Sequence, residues 1–328
     1  MSSPCSAESV PAMHRRAMMA GLAVLASAGG ARAAEAPADE KKVYLDYTQK
    51  QLDDAYNQAI YAPNARQLLA RYTANSADLV ARIGPPREIA YGKRPMERIL
   101  YYPAKRRGAP LFLFVHGGAW HAGQASQYLF PAEMFLDHGI SYAAMDFDGV
   151  EATDGQLAPI VDQVCRAALF CARNPGRFGA APRRLVLGAH SSGAHLAGVA
   201  LTTDWRGLYG SSPDLFASAL LISGMYDMRG PRLSSRGGYV HFDDASEDAL
   251  SAQRHIDRLH TPLLLMTGTR ETPEFQRQSR DFAAAVTAAG KRAELRIGRE
   301  YNHFEMMESL ANPYAIAGRG ALELCRAG

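Results

Sequence analysis

Ala189-His190-Ser191-Ser192-Gly193 surrounds one serine with small residues. Between a strand and a helix such a segment forms a sharp turn that lifts the serine hydroxyl above a sheet. The pattern is G-x-S-x-G with Ala189 in first place, still small enough for the turn. Taken alone, the segment also reads as a serine-rich helix N-cap. His116-Gly117-Gly118-Ala119-Trp120 follows an apolar run and leaves backbone N–H groups unobstructed, as an acyl-transfer site needs where an oxyanion develops. The expected donors are the N–H groups of Gly118 and Ala119, with Ser192 as the third. Trp120 is expected to wall the substrate pocket, with core packing as the equal alternative.

A serine at its ordinary pKa is a weak nucleophile and needs a histidine base oriented by a carboxylate, here in the chain order Ser, acid, His. Of ten histidines, only His303 stands after the last predicted strand. The acid belongs after the strand 263–267; Glu271 is the first choice and Glu274, about one helical turn later, the fallback. Asp227 is a candidate brace for the site. Asp243, Asp244 and Asp257 fall in a polar stretch and are expected to be solvated. His195 lies on the helix after Ser191 and is expected to be packed rather than catalytic.

The elements that must position these groups are legible from periodicity. Residues 43–83 read as helical, with Leu68, Leu69, Tyr72, Leu79, Val80 and Ile83 on a helical repeat, ended by Gly84-Pro85-Pro86. Short strands are expected at 87–91 and 96–102. The continuous apolar run 111–115 is the mark of a strand covered on both faces. Strands at 140–145, 184–189, 217–222, 263–267 and 293–297 then alternate with helices at 156–172, from 192, and at 273–289. The stretch 228–260 shows no strand pattern and reads as a small cap. This alternation argues for one mostly parallel, doubly wound sheet.

The chain has 328 residues, 47% hydrophobic and 21% charged, with a formal charge of +3 and no polybasic run. That composition excludes a disordered chain and gives no reason to expect nucleic acid. Arg15-Arg16 before a mildly apolar stretch, then Ala31-Arg32-Ala33, reads as a secretory signal over residues 1–33, leaning to the twin-arginine route and too short to span a bilayer. A helical or disordered tail, or a start at Met13, is the alternative. Residues 34–328 are expected to be one domain, periplasmic or secreted, with a cytoplasmic location as the alternative. Without the leader's three arginines and Glu8 the charge falls to +1. Cys165 and Cys171 are six residues apart on a predicted helix, about 9 Å along its axis, beyond disulfide reach. Free buried thiols are expected, with a bond from one of them to Cys325 as the alternative. No H-E-x-x-H, Cys/His cluster, P-loop or dinucleotide-binding glycine fingerprint occurs, so no metal or cofactor is expected. The oligomeric state is left open.

Together, His116-Gly117-Gly118-Ala119-Trp120, His190-Ser191-Ser192-Gly193-Ala194-His195, Ser223-Gly224-Met225-Tyr226-Asp227, Glu271-Thr272-Pro273-Glu274-Phe275 and Asn302-His303-Phe304-Glu305 resemble the arylformamidase (kynurenine formamidase) branch of the α/β-hydrolases, close to the hormone-sensitive-lipase-like esterases. The resemblance covers the chain from about residue 45. It implies the α/β-hydrolase fold with an N-terminal helical segment and a small cap insert. It also implies Glu271 as the triad acid, two residues before Pro-Glu-Phe and where an aspartate is common, and His303 as the base. Ala119 stands where that branch often has tyrosine. The expected activity is hydrolysis of a small-molecule carboxylic ester or small aryl amide through an acyl-enzyme. Arylformamidase action on N-formylkynurenine-like substrates is the alternative. Acyl transfer to another acceptor and a non-catalytic binding protein of the same fold are further ones.

Overall fold

The computed structural model describes residues 41–327. The leader expected at residues 1–33 lies outside them. The first described elements are a short antiparallel ribbon, β1 (Lys42–Tyr44) and β2 (Tyr47–Thr48), then helices α1 (Gln49–Ala55) and α2 (Ala65–Ile83). This corrects the expectation of helix over the whole of 43–83. Val43, Tyr44 and Tyr47 favour extended backbone, Leu45 turns the ribbon at φ 46°, and Thr48 closes a capping box with Gln51 that starts α1. Pro63 separates the two helices. Gly84, at φ 90°, ends α2 before the two prolines.

The strands β3 (Arg87–Ala90), β4 (Arg98–Tyr102), β5 (Ala109–Val115), β6 (Ser141–Met145), β7 (Ala180–His190), β8 (Ser218–Ile222), β9 (Leu263–Gly268) and β10 (Ala293–Gly298) form one sheet in the order β3-β4-β6-β5-β7-β8-β9-β10. From β6 to β10 all neighbours run parallel; β3 and β4 add an antiparallel edge. The remaining helices are α3 (Ala132–Asp137), α4 (Ala158–Arg173), α5 (Ser192–Leu201), α6 (Trp205–Tyr209), α7 (Arg229–Leu233), α8 (Asp244–Ala249), α9 (Pro273–Ala288), α10 (His303–Glu308) and α11 (Ile316–Ala327). The 228–260 insert contains α7 and α8 and no strand.

Side chains alternate across each strand and so feed two cores. Leu111, Leu113 and Val115 of β5 join α1, α4, α5 and α9 on one face, whereas Phe112 and Phe114 join α2, α3, α10 and α11 on the other. Cys165 and Cys171 lie in the first core and Cys325 in the second, all three free and buried. The sheet between them rules out the bond to Cys325, and burial pushes the Cys165 and Cys325 thiols up to about 12. The helix α11 was not anticipated. Gly318 and Gly320 weaken its sequence signal, yet a side chain at Gly320 would collide with Leu264 and Met266 of β9. Among the described residues no helix is long and apolar enough to cross a membrane.

The loops after β5, β7, β8, β9 and β10 open at the same carboxyl edge of the sheet, where open α/β sheets bind ligands. These loops carry His116–Trp120, Ser191, Ser223, Glu271 and His303.

Candidate active site

Ser191 occupies the junction of β7 and α5 with φ 57° and ψ −127°. For a residue with a Cβ this conformation costs on the order of 1–3 kcal/mol and persists only where the surroundings impose it. They do so from three sides. The Ser191 N–H donates to the Ile222 carbonyl of β8 at 2.9 Å. A Cβ at Gly193 would overlap the carbonyl oxygens of Val115 and His116, so α5 can pack against the end of β5 only with glycine there. A Cβ at Gly117 would come within 2.9 Å of the Ser191 Cβ.

His303 is the first residue of α10, fixed by a capping box between Asn302 and Glu305 that is tied to Asn64 of the N-terminal segment. Its Nδ1–H donates to Glu271 Oε2 at 2.9 Å, which leaves Nε2 to accept the Ser191 hydroxyl at 2.8 Å. The other carboxylate oxygen of Glu271 accepts from Ser223 Oγ at 2.7 Å, Thr267 Oγ1 at 3.1 Å and the Gly268 N–H at 2.5 Å. Three donors on Oε1 orient the carboxylate so that Oε2 faces the imidazole. Ser223 reaches it from a backbone at φ 56°, so a second strained serine serves the same site. Phe275 stands edge-on to the His303 ring at 5.3 Å, and Glu271 is 1% exposed.

Several expectations are corrected. Glu274, the fallback acid, is buried against Tyr56 and Gln278 and paired with Arg277, away from His303. Asp227 does not brace the site; it pairs with Arg254 at 2.9 Å, and Ser223 with Thr267 holds the glutamate instead. Neither role was readable from the sequence: the Ser223–Asp227 segment stood out, but its candidate brace was Asp227, and a lone threonine at a strand end carries no motif. Trp120 takes the core-packing alternative and does not wall the pocket. It is 1% exposed, its indole N–H donates to His195 Nδ1 at 3.0 Å, and its main-chain N–H donates to Ser192 Oγ at 3.3 Å. His195 passes its own Nε2–H to the Leu250 carbonyl at 3.0 Å, so it is packed as expected, and burial lowers its pKa to about 4.

The loop after β5 runs through three consecutive residues of positive φ: Gly118 at 129°, Ala119 at 54° and Trp120 at 68°. The Gly118 carbonyl accepts from the Ala122 N–H at 2.9 Å, while the N–H groups of Gly118 and Ala119 have no acceptor among the described residues. Both residues border a cavity of about 510 Å³ above Ser191. Ser192 opens α5, where the first N–H groups lack helical partners. The cavity walls come from four parts of the chain: Tyr56, Gln58, Leu69 and Tyr72 of the N-terminal segment, Tyr128 after β5, Ser235, Arg236 and Tyr239 of the insert, and His190, His303 and Phe304. The N-terminal segment is therefore a wall of the site. His190 donates through Nε2 to the His303 carbonyl at 3.0 Å, and burial together with the adjacent imidazole holds its pKa well below the usual range. Among the described residues no group of three His, Cys, Asp or Glu side chains could hold a metal ion.

Residues 99–218 match the BD-FAE family model. The chain is similar to kynurenine formamidase of Danio rerio, 28% identical over 69% of this chain and 76% of that one. It is also similar to the isoprenylcysteine alpha-carbonyl methylesterase ICME of Arabidopsis thaliana, 27% identical over 64% of this chain and 54% of the relative. In structure it resembles a protein from Silicibacter sp. TM1040 described as a candidate thioesterase, with a TM-score of 0.73, 23% identity and coverage of 84% and 98%. It likewise resembles an esterase from Thermogutta terrifontis, with a TM-score of 0.60, 19% identity and coverage of 75% and 93%. With the mostly parallel sheet and the loops gathered at its carboxyl edge, the structural likenesses show the α/β-hydrolase fold, and in sequence the chain is similar to a formamidase and to a methylesterase.

Proposed function

We propose that the protein cleaves carboxylic esters or small aryl amides with Ser191 as nucleophile, His303 as general base and acid, and Glu271 as the orienting carboxylate. The observation that carries this reading is the unbroken hydrogen-bond chain from Glu271 through His303 to Ser191, ending on a strained serine at the floor of the cavity. His303 Nε2 takes the hydroxyl proton as Ser191 Oγ attacks the carbonyl carbon. The N–H groups of Gly118, Ala119 and Ser192 hold the tetrahedral oxyanion, each worth about 10²–10³ in rate. His303 then gives its proton to the leaving oxygen or nitrogen. A water, deprotonated by the same imidazole, releases the acid and restores Ser191. Glu271 keeps the proton on Nδ1 and stabilises the imidazolium between the two steps. Ser191→Ala should lower kcat on 4-nitrophenyl acetate by about 10⁴ or more; turnover at the parental rate would overturn the mechanism.

Aryl formamides are a second reading, favoured by the similarity to kynurenine formamidase and by the tyrosines and Phe304 around the cavity. The kcat/KM for N-formylkynurenine against phenyl acetate decides between them. We further propose that residues 1–33 direct export. Periplasmic protein should then begin after Ala33; full-length protein confined to the cytoplasm would contradict this.

A further inference from the structure

The cavity over Ser191 contains one permanent charge, and nothing in the described residues balances it. Arg236, on the insert between β8 and β9, lines the cavity and is 7% exposed. Its Nη2 donates to the Tyr56 carbonyl at 3.1 Å, while Nε and Nη1 meet no acceptor. The other arginines nearby on the insert are served differently: Arg229, Arg232 and Arg254 all pair with Glu247. No aspartate or glutamate lines the cavity. A guanidinium does not lose its proton in a protein, and leaving it buried without a counter-ion is costly. Its position is nevertheless well defined, because its carbon lies 5.0 Å from the centre of the Trp120 ring and 5.7 Å from that of Tyr56. The buried Trp120 thus acts on the cavity indirectly, by supporting the guanidinium in the wall.

We infer that the substrate carries a free carboxylate besides the scissile ester or amide, and that Arg236 is the residue that selects it. The inference rests on the reading of Ser191 as the nucleophile of this cavity. In that reaction the carboxylate is a bystander: it pairs with the guanidinium while the acyl group moves to Ser191 and on to water.

Two matched pairs of substrates test this. In one the carboxylate is in the acyl half, mono-4-nitrophenyl glutarate against 4-nitrophenyl butyrate. In the other it is in the leaving half, 4-acetoxybenzoate against its methyl ester. In the wild-type enzyme the anionic member of one pair should exceed its neutral partner in kcat/KM by about tenfold or more. Arg236→Met should collapse that ratio to near one, and Arg236→Lys should retain part of it. Two results overturn the inference: neutral substrates favoured in both pairs by the wild type, or equal losses on both members of the preferred pair in Arg236→Met, which marks a purely structural role. Calorimetric binding of the preferred anionic substrate to Ser191→Ala separates this from the catalytic reading. Binding that disappears when Arg236→Met is added supports the anion site whatever becomes of the nucleophile, and binding indifferent to Arg236 removes it.

Discussion

In the proposed mechanism the Ser191 hydroxyl becomes a nucleophile because its neighbours fix one proton position, and that position is set two hydrogen bonds away, at Glu271. Its Oε1 is held by Ser223, Thr267 and the Gly268 N–H, and its Oε2 faces His303. Glu271→Gln keeps the shape but lets the amide donate toward Nδ1, which favours the wrong imidazole tautomer. Stopped-time assays on an aryl ester should show kcat reduced by about 10³–10⁴ with a much smaller change in KM. That Ser191, Glu271 and His303 come together was readable in the sequence, because each follows a strand at the same edge of the sheet and Ser191 and His303 have neighbours that a special turn or cap requires. Arg236, Ser223 and Thr267 were not, since their roles arise from what the fold brings near them. Trp120 was read from a real signal, its place after a glycine pair, but its direction into the protein depends on three positive φ angles that the sequence does not specify.

At the scale of elements, the contact between the end of β5 and the first turn of α5 sets the site. It brings the Gly118–Ala119 loop over Ser191 and tolerates no Cβ at position 193. Gly193→Ala should therefore destabilise the fold by about 1–3 kcal/mol, read as a lower urea midpoint at constant slope. It should also reduce kcat in the fraction that folds, because α5 and the loop cannot both keep their places. Native stability with full activity would show that this contact is looser than drawn. The parallel strands were legible from continuous apolar runs, and α4, α5 and α9 from their placement between those runs. The β1–β2 ribbon was hidden by the helical repeat that follows it. The helix α11 was hidden by two glycines: Gly320 is required by packing against β9, and Gly318 by the close approach of the Asn312 carbonyl.

Across the whole molecule, the same buried histidines that shape the site make stability depend on pH. His195 is fully buried, and its pKa falls from the ordinary 6.5 to about 4; His190 is also held low. The unfolded chain takes up these protons near pH 6.5 and the folded chain does not, so stability is lost as pH falls below about 6.5. For His195 the loss continues to about pH 4 and reaches about 3 kcal/mol. Urea unfolding between pH 7 and 4.5 should show this slope, and His195→Gln should flatten it; an unchanged slope would remove His195 as a contributor. The described residues supply one mostly parallel sheet, a wall drawn from four parts of the chain and the cavity floor at Ser191. The most direct measurement of that floor's chemistry is reaction with a fluorophosphonate followed by peptide mass mapping. The account predicts stoichiometric phosphonylation confined to Ser191, slowed severely in His303→Ala and absent in Ser191→Ala. An unlabelled wild-type protein, or a label carried by a different residue, would contradict it.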